Sequence, residues 1–236
     1  MVKFENVFFS YNKRDLVINN VDLNIAQGQI HGILGHNGAG KTTTFRLLLG
    51  LLKPKSGLIQ CDGFVSEDRN FPRGLISYMP ESIGIYEKLT GFQNLEFRAR
   101  TARVPHSQIR PKSKELLKSL RLLNRAHERA GYWSNGMKKR LSLACALISQ
   151  PKLLLLDEPT SGIDPESLSI IRQILKKINN QGTTIILSSH DLNSVEKICT
   201  HISILQYGKL IYTGVLDGNI SSLEEFYLKH TKKIEN

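Results

Sequence analysis

Apolar and polar positions alternate in some stretches of the chain and recur at helical spacing in others. Val2 to Phe9, rich in Val and Phe, reads as a strand, and Val21-Asp22-Leu23-Asn24-Ile25 alternates as a strand with one face in water does. Gln27-Gly28-Gln29 is a turn, Gln29 to Leu34 is the next strand, and Thr43 to Leu49 is a helical run. After the breaker cluster Leu51 to Gly57, Leu58 to Cys61 is a short strand closed by Asp62-Gly63, and Leu75 to Met79 is another that stops at Pro80-Glu81. From Gly91 to about Ala130 the strand signal disappears. Leu116, Leu120 and Leu123, with Leu117, share one helical face there, and Pro105 and Pro111 read as breaks. Lys138 to Ile148 is a further helical run. Leu153 to Leu156 is the four-leucine pattern of a central parallel strand buried on both faces. Asp164-Pro165 starts a helix with Asp as cap and Pro at the first position; Ile170, Ile171, Ile174, Leu175 and Ile178 form its apolar face and Gly182 ends it. Thr183 to Leu187 is a buried strand. Ile202 to Gln206 and Lys209 to Thr213 bracket Tyr207-Gly208 as a hairpin. Ser222 with Glu225 predicts a capping box for a helix over Leu223 to Lys229, and Thr231 to Asn236 is a polar tail. The sum is an α/β core with a helical lobe inserted.

Composition narrows this picture little, but charge distribution changes it. The chain has 236 residues, enough for one substantial core, and its hydrophobic and charged fractions are those of an ordinary soluble domain. No apolar run reaches the roughly 18 residues that span a bilayer, and Met1 to Glu5 lacks the apolar stretch of a signal peptide. Cys61, Cys145 and Cys199, odd in number and each in apolar context, read as reduced core thiols. The net charge is +11, and the stretch from Arg98 to Lys152 holds fourteen basic residues against Glu115 and Glu128, which leaves −1 for the rest. Such a basic segment predicts either an anionic partner, nucleic acid or an acidic lipid surface, or a solvated helical face.

Candidate chemistry centres on Gly35-His36-Asn37-Gly38-Ala39-Gly40-Lys41-Thr42, between the strand ending at Leu34 and the helix from Thr43. The glycines allow a tight turn whose N–H groups converge on anionic oxygens, and the following helix start adds partial positive charge. Lys41 would reach the β- and γ-phosphates and the Thr42 hydroxyl would hold Mg²⁺. Two acids, Asp157 and Glu158, end the four-leucine strand, where they are costly without work or partners. Beside a phosphate loop, Asp157 would hold the Mg²⁺ shell and Glu158 would orient or deprotonate the attacking water. Pattern alone leaves four positions open. Tyr11 is a ring stacked on a base or a packing residue. Glu81 is a solvated loop acid or faces the nucleotide. Ser134 is a plain helix cap or part of an anion site. His190, at a strand end, senses a γ-phosphate or is structural.

The order of these motifs resembles the ATP-binding subunits of ABC transporters over nearly the whole chain. The resemblance implies a phosphate-loop (P-loop) NTPase core with a mixed sheet, an N-terminal antiparallel β subdomain and an inserted helical subdomain. It implies a single domain over 1–236: an ATP-binding core of 1–90 and 151–220, a helical part of 91–150, and a short C-terminal helix and tail of 221–236. Gly35 to Thr43 fall where the family has its Walker A motif, Leu153 to Thr160 its Walker B, Ser161-Gly162-Ile163-Asp164 its D-loop, and His190 its switch histidine. Tyr11 matches the position whose ring stacks on adenine. Two motifs depart from the family norm. The signature, usually Leu-Ser-Gly-Gly-Gln, stands here as Trp133-Ser134-Asn135-Gly136-Met137, and Glu81 stands where most relatives have Gln. In the family the signature contacts the γ-phosphate held by the opposite subunit; the Gln position touches Mg²⁺ and signals to the membrane subunit. A glutamate there can still ligate a hard cation.

The phosphate-loop wording, the Met79-Pro80-Glu81 loop and the altered signature resemble the branch serving ABC-2-type exporters, which move drugs, antimicrobial peptides or lipid-linked material. The implied protein is an ATPase motor on the cytoplasmic face of the membrane. It uses ATP and Mg²⁺, closes head-to-tail as a homodimer or heterodimer of ATPase domains, and drives a separate transmembrane permease subunit. The helical part would dock that subunit, and its basic residues would meet anionic lipid head groups. The rival is a soluble ABC-type ATPase acting on nucleic acid or ribosomes. Ribosome-acting relatives resemble two such domains in one chain and DNA-repair relatives carry long coiled-coil arms; neither feature stands in this sequence, so nucleic acid is not the expected partner. A regulator that binds nucleotide without turnover is opposed by Glu158.

Overall fold

The computed structural model describes residues 1–12, 15–68, 71, 73–82, 84–216 and 222–232. In chain order the elements are β1 (Val2–Phe9), β2 (Ile18–Ile25), β3 (Ile30–Leu34), α1 (Lys41–Leu48), β4 (Ser56–Cys61), β5 (Phe64–Val65), β6 (Ile76–Met79), α2 (Gly91–Thr101), α3 (His106–Ser119), α4 (Asn135–Leu147), β7 (Leu153–Asp157), α5 (Pro165–Asn180), β8 (Thr184–Ser189), α6 (Leu192–Ile198), β9 (His201–Gln206), β10 (Lys209–Val215) and α7 (Leu223–Thr231). The chain divides into two compact units, Met1–Arg73 with Thr184–Asn236, and Gly74–Thr183.

The first unit holds two kinds of sheet. One is antiparallel throughout, in the order β2-β1-β4-β5. In β1 the buried side chains Val2 and Phe4 alternate with Lys3 and Glu5, then Asn6 takes φ 47 and shifts the register so that Val7 turns inward. The other is mixed: β3 lies between β8 and β9, parallel to both, and β10 returns antiparallel to β9. Every residue of β3 and β8 is buried, as parallel strands covered on both faces require. The β9–β10 turn places Tyr207 and Gly208 at φ 46 and 75, the two left-handed residues of a tight hairpin. Helix α6 has no counterpart among the elements expected from the sequence. It is seven residues long and starts on the Asp191 cap, and Val195 and Cys199 pack close on β3, 3.1 and 3.0 Å from where a Cβ on Gly32 would lie. Helix α7 is capped by Ser222, whose hydroxyl accepts from the Glu225 N–H at 3.3 Å. The expected polar tail begins inside this helix, which runs to Thr231 with Lys232 as its C-cap, and the rest of that tail, 233–236, lies outside the described residues.

The second unit pairs β6 with β7 in parallel, and all five residues of β7 are buried. Thr90 and Gln93 form a reciprocal capping box at the start of α2, the sharp entry into the helical part. Pro105 precedes α3 as its cap, but Pro111 is not a break: the helix runs through it. In the second turn its missing N–H removes one ladder bond, and buried Ile109, Ser113 and Leu117 anchor the helix on both sides of it. The expected stripe holds at Leu117 and Leu120 and extends back through Ser113 and Ile109, while Leu116 is half-buried and Leu123 lies in a separate 3₁₀ turn. Helix α5 matches its expected start: the Asp164 carboxylate accepts from the Ser167 N–H at 2.8 Å and Pro165 is its first residue.

The basic segment is less of a surface than its sequence suggests. Lys139 and Arg140 are buried, and Arg140 donates to the Leu120 carbonyl at 2.8 Å. Arg100, Arg121, Arg125 and Lys138 pair with Glu96, Glu166, Glu128 and Glu87. The three cysteines are free and buried, and burial pushes the Cys61 and Cys145 thiols up to about 12 and Cys199 higher still, so they are core groups and poor nucleophiles.

Candidate functional site

Buried β3 delivers the chain to Gly35, and the loop that follows folds back over the start of α1. Gly40 caps that helix at φ 110; a Cβ there would lie 2.9 Å from the Val17 carbonyl oxygen and would be strained in any case. The cap position, Gly40, has no side chain to offer to the first turn of α1. The Lys41 side chain, 7% exposed, turns back into the loop and donates from Nζ to the carbonyls of Gly35 at 2.7 Å and His36 at 3.3 Å. Asn37 and Gly38 form the exposed tip, and the Ala39 N–H donates to His36 O at 3.1 Å to close the turn. The His36 ring lies 4.9 Å from that of Tyr207, and its Nδ1 is 2.7 Å from the Asn37 carbonyl oxygen. Thr42 is half-buried and Thr43 buried, in the first turn of the helix.

Tyr11 joins this loop through its hydroxyl, which is 3.2 Å from Thr43 Oγ1 and accepts from Arg46 at 3.2 Å. Its ring meets Phe9 edge-on and is 56% exposed, so one end is anchored and an aromatic face is open. His190 reaches the same sheet edge by register: Leu34 pairs with Ser189 in the parallel β3–β8 ladder, so Gly35 and His190 leave adjacent strands side by side. His190 is exposed, and the next residue, Asp191, accepts from the Ser194 N–H to start α6.

In the second unit Met79 pairs with Leu156, so Glu81 and the acids Asp157 and Glu158 stand at the carboxyl edge of β6 and β7. Asp157 is 1% exposed and accepts from the Tyr78 hydroxyl at 3.1 Å. Glu158 is also buried and takes the left-handed conformation, φ 47, which a non-glycine residue adopts at a cost of about 1–2 kcal/mol. Glu81 is exposed. The residue that sequence reading missed is Lys139. It is buried, and its Nζ donates to the backbone carbonyls of both Glu81, at 2.9 Å, and Glu158, at 3.1 Å. Burial pushes its pKa down, and the charges of Glu81, Glu158 and Asp157 push it back up. In sequence it was one cation among fourteen in a basic stretch. Its place on α4 five residues after Ser134, facing inward with Arg140, Leu141 and Ser142, was the available signal.

The segment Ser134-Asn135-Gly136 starts α4. The Ser134 hydroxyl accepts from the Met137 N–H at 3.3 Å, and Ser134 and Asn135 are exposed while Gly136 is buried. A Cβ on Gly136 would run into Asp164 Oδ2 and Ser167 Oγ, which pack on it from the start of α5. Asp164 thus has a structural duty: it accepts from both the N–H and the hydroxyl of Ser167 at 2.8 Å, and these bonds hold its carboxyl below the usual aspartate range. A cleft of about 480 Å³ in this unit lies at the opposite, amino edge of β7, lined by Lys112, Leu116, Ile148, Pro151, Ile174 and Thr183, so volume alone would misplace the chemistry.

An ammonium held on the carbonyls of a glycine-rich loop, followed by a helix start with glycine at its cap, suits a polyphosphate; a buried acid pair at a strand end suits a hydrated divalent cation and an attacking water. Fold and residues define a phosphate-loop nucleotide-binding protein. Residues 18–161 match the family described as "ABC transporter", and residues 130–196 match one described as "AAA domain, putative AbiEii toxin, Type IV TA system". The linearmycin resistance ATP-binding protein LnrL of Bacillus subtilis (strain 168) is 34% identical over 91% of this chain and 69% of its own length. The lantibiotic transport ATP-binding protein SrtF of Streptococcus pyogenes is 36% identical over 96% of both chains. A solved dimeric, post-hydrolysis state of the ATP-binding cassette MJ0796, bound to ADP and Pi, superposes with a TM-score of 0.83 at 27% identity, over 92% of this chain and 100% of that one. The chain belongs to the ABC transporter family. It is an ATP-binding, ATP-hydrolysing subunit, with the phosphate-loop α/β fold the resemblance implied. The nucleic-acid or ribosome alternative is not favoured.

Proposed function

We propose that the chain is the motor of an exporter for an antimicrobial peptide or a drug- or lipid-like compound, working on the cytoplasmic face of the membrane beneath a separate permease subunit. The names of the linearmycin resistance and lantibiotic transport relatives support the substrate class. Among the described residues no helix is long and apolar enough to cross a membrane, in keeping with a separate spanning partner. The observation that carries the reading is the seating of Lys41 among the carbonyls of Gly35 and His36, ahead of a helix start that no side chain caps.

In this reading the amides of Gly35 to Thr43, with Lys41, bind the phosphates of ATP and the open face of Tyr11 stacks on adenine. Thr42, Asp157 and Glu81 are oxygen donors, the set that fits Mg²⁺, and they would hold it; the ion supplies charge neutralisation of the phosphates. Glu158 orients the attacking water and accepts its proton, and His190 hydrogen-bonds the γ-phosphate. Ser134, Asn135 and Gly136 serve the partner's nucleotide when two ATPase domains close head-to-tail, with Asp164 near that seam. The ATP-binding core of 1–90 and 151–220 does the chemistry. The helical part, 91–150, docks the permease, and its exposed cations meet anionic lipid head groups. The test is Glu158→Gln. Steady-state hydrolysis should fall by about 100-fold or more while ATP binding persists, since a general base contributes about 10²–10⁴-fold. Unchanged turnover would remove Glu158 from its role. Capture of a multi-span protein with the chain from membranes tests the permease assignment.

A further inference from the structure

Lys139 is the side chain that the assigned chemistry does not use. It is 5% exposed, and its ammonium donates to two backbone carbonyls, Glu81 O at 2.9 Å and Glu158 O at 3.1 Å. One group therefore links the loop after β6 to the residue after β7. Burying an ammonium against neutral carbonyls alone is costly, and the compensation comes from Glu81, Glu158 and Asp157, whose charges all act on it. The converse also holds: three carboxylates at one strand edge repel one another unless a cation lies among them. Glu158 has a further need, because its left-handed backbone, φ 47, persists only where its surroundings hold it.

We propose that Lys139 is a positioning residue: its ammonium offsets the repulsion among Glu81, Asp157 and Glu158, and pins the Glu81 loop and the Glu158 backbone so that the Glu158 carboxylate is held ready for water. Because Lys139 stands on the helix that begins at Ser134, the same contact makes the signature helix, the Glu81 loop and the acidic strand end one mechanical body. The proposal rests on the reading of Glu158 given above.

The test is a double-mutant cycle in steady-state ATP turnover of the full chain, with Lys139→Gln, Glu81→Gln and the two combined. Lys139→Gln alone should lower kcat about tenfold, as loss of an outer partner of a catalytic group does. In the Glu81→Gln background the same change should cost less than about threefold, because one repelling carboxylate is gone along with the ammonium. Equal losses in both backgrounds would show a merely structural side chain and overturn the proposal, as would unchanged turnover of Lys139→Gln. If Lys139→Gln does not melt cooperatively, Lys139→Met, of similar volume, runs the same cycle. Glu158→Gln serves as the separate control. Its failure to abolish turnover would sink the Glu158 reading, whereas a dead Glu158→Gln with a multiplicative cycle would sink Lys139 alone.

Discussion

Two helix starts carry the functional motifs, and they are built in opposite ways. Helix α1 opens on Gly40, which has no side chain to offer, and the first-turn residues Lys41, Thr43 and Thr44 are buried. Helix α4 opens on Ser134, whose hydroxyl already accepts from the Met137 N–H, with Ser134 and Asn135 exposed. The first start has no cap side chain and supplies a lysine from within its own loop. The second is satisfied at rest and shows a hydroxyl and an amide side chain to the outside. In the proposed dimer the first start would hold a nucleotide within its own loop and the second would reach across to the partner's, so the second must be stable before that ligand arrives.

That contrast can be broken at several points. Lys41→Ala should have the largest effect, about 100-fold or more in ATP turnover, because it removes the ammonium from where charge develops. Isothermal titration with ATP should show weakened binding in the same variant, and wild-type affinity would refute the seating of the phosphate tail on this loop. Gly136→Ala acts through packing: its Cβ meets Asp164 Oδ2 and Ser167 Oγ, so denaturant melts should show a loss of about 2–3 kcal/mol.

Titration should separate the two units as well. His31 lies on β3 below the phosphate loop, with Nε2 2.7 Å from Ser203 Oγ, and burial followed by the charge of His201 lowers its pKa to about 3. Below the unfolded value of 6.5 the unfolded chain takes up the proton and the folded one does not. The contribution of neutral His31 is therefore complete above pH 6.5 and declines toward pH 3. Urea melts should lose about 2 kcal/mol between pH 6.5 and pH 5 on this account, and His31→Gln should remove that part of the slope. Asp164 has the same sign in a more acidic window. Its pKa is pulled below 3.8 by Ser167, so its contribution is present at neutral pH and disappears only below that value. The smallest effect is Ser134→Ala, about 1 kcal/mol of helix stability measured by thermal melts. A far larger loss of turnover than of stability in that variant would sharpen the contrast, since the hydroxyl would then serve more than its own helix.

Local signals made much of this fold legible. The Leu153–Asp157 strand, the Asp164-Pro165 start of α5, the Ser134 cap of α4 and the hairpin at Tyr207-Gly208 all stand where their residue patterns put them, because each depends on a few neighbours in the chain. What was not legible depended on distant partners. Helix α6 is too short to show a periodic face, and it is held by the Asp191 cap and by packing on Gly32. Pro111 looked like a stop, yet packing at Ile109, Ser113 and Leu117 carries α3 through it.

By itself the sequence determined the phosphate loop, the acid pair and the order of strands and helices around them, since backbone turns, caps and apolar runs are short-range chemistry. Tertiary structure alone decided which cations are surface and which are core. Lys139 and Arg140 stand among basic neighbours with the same composition, but only folding brings the carbonyls of Glu81, Glu158 and Leu120 to them. A charge is worth burying only where its partners converge, and convergence is a property of three dimensions.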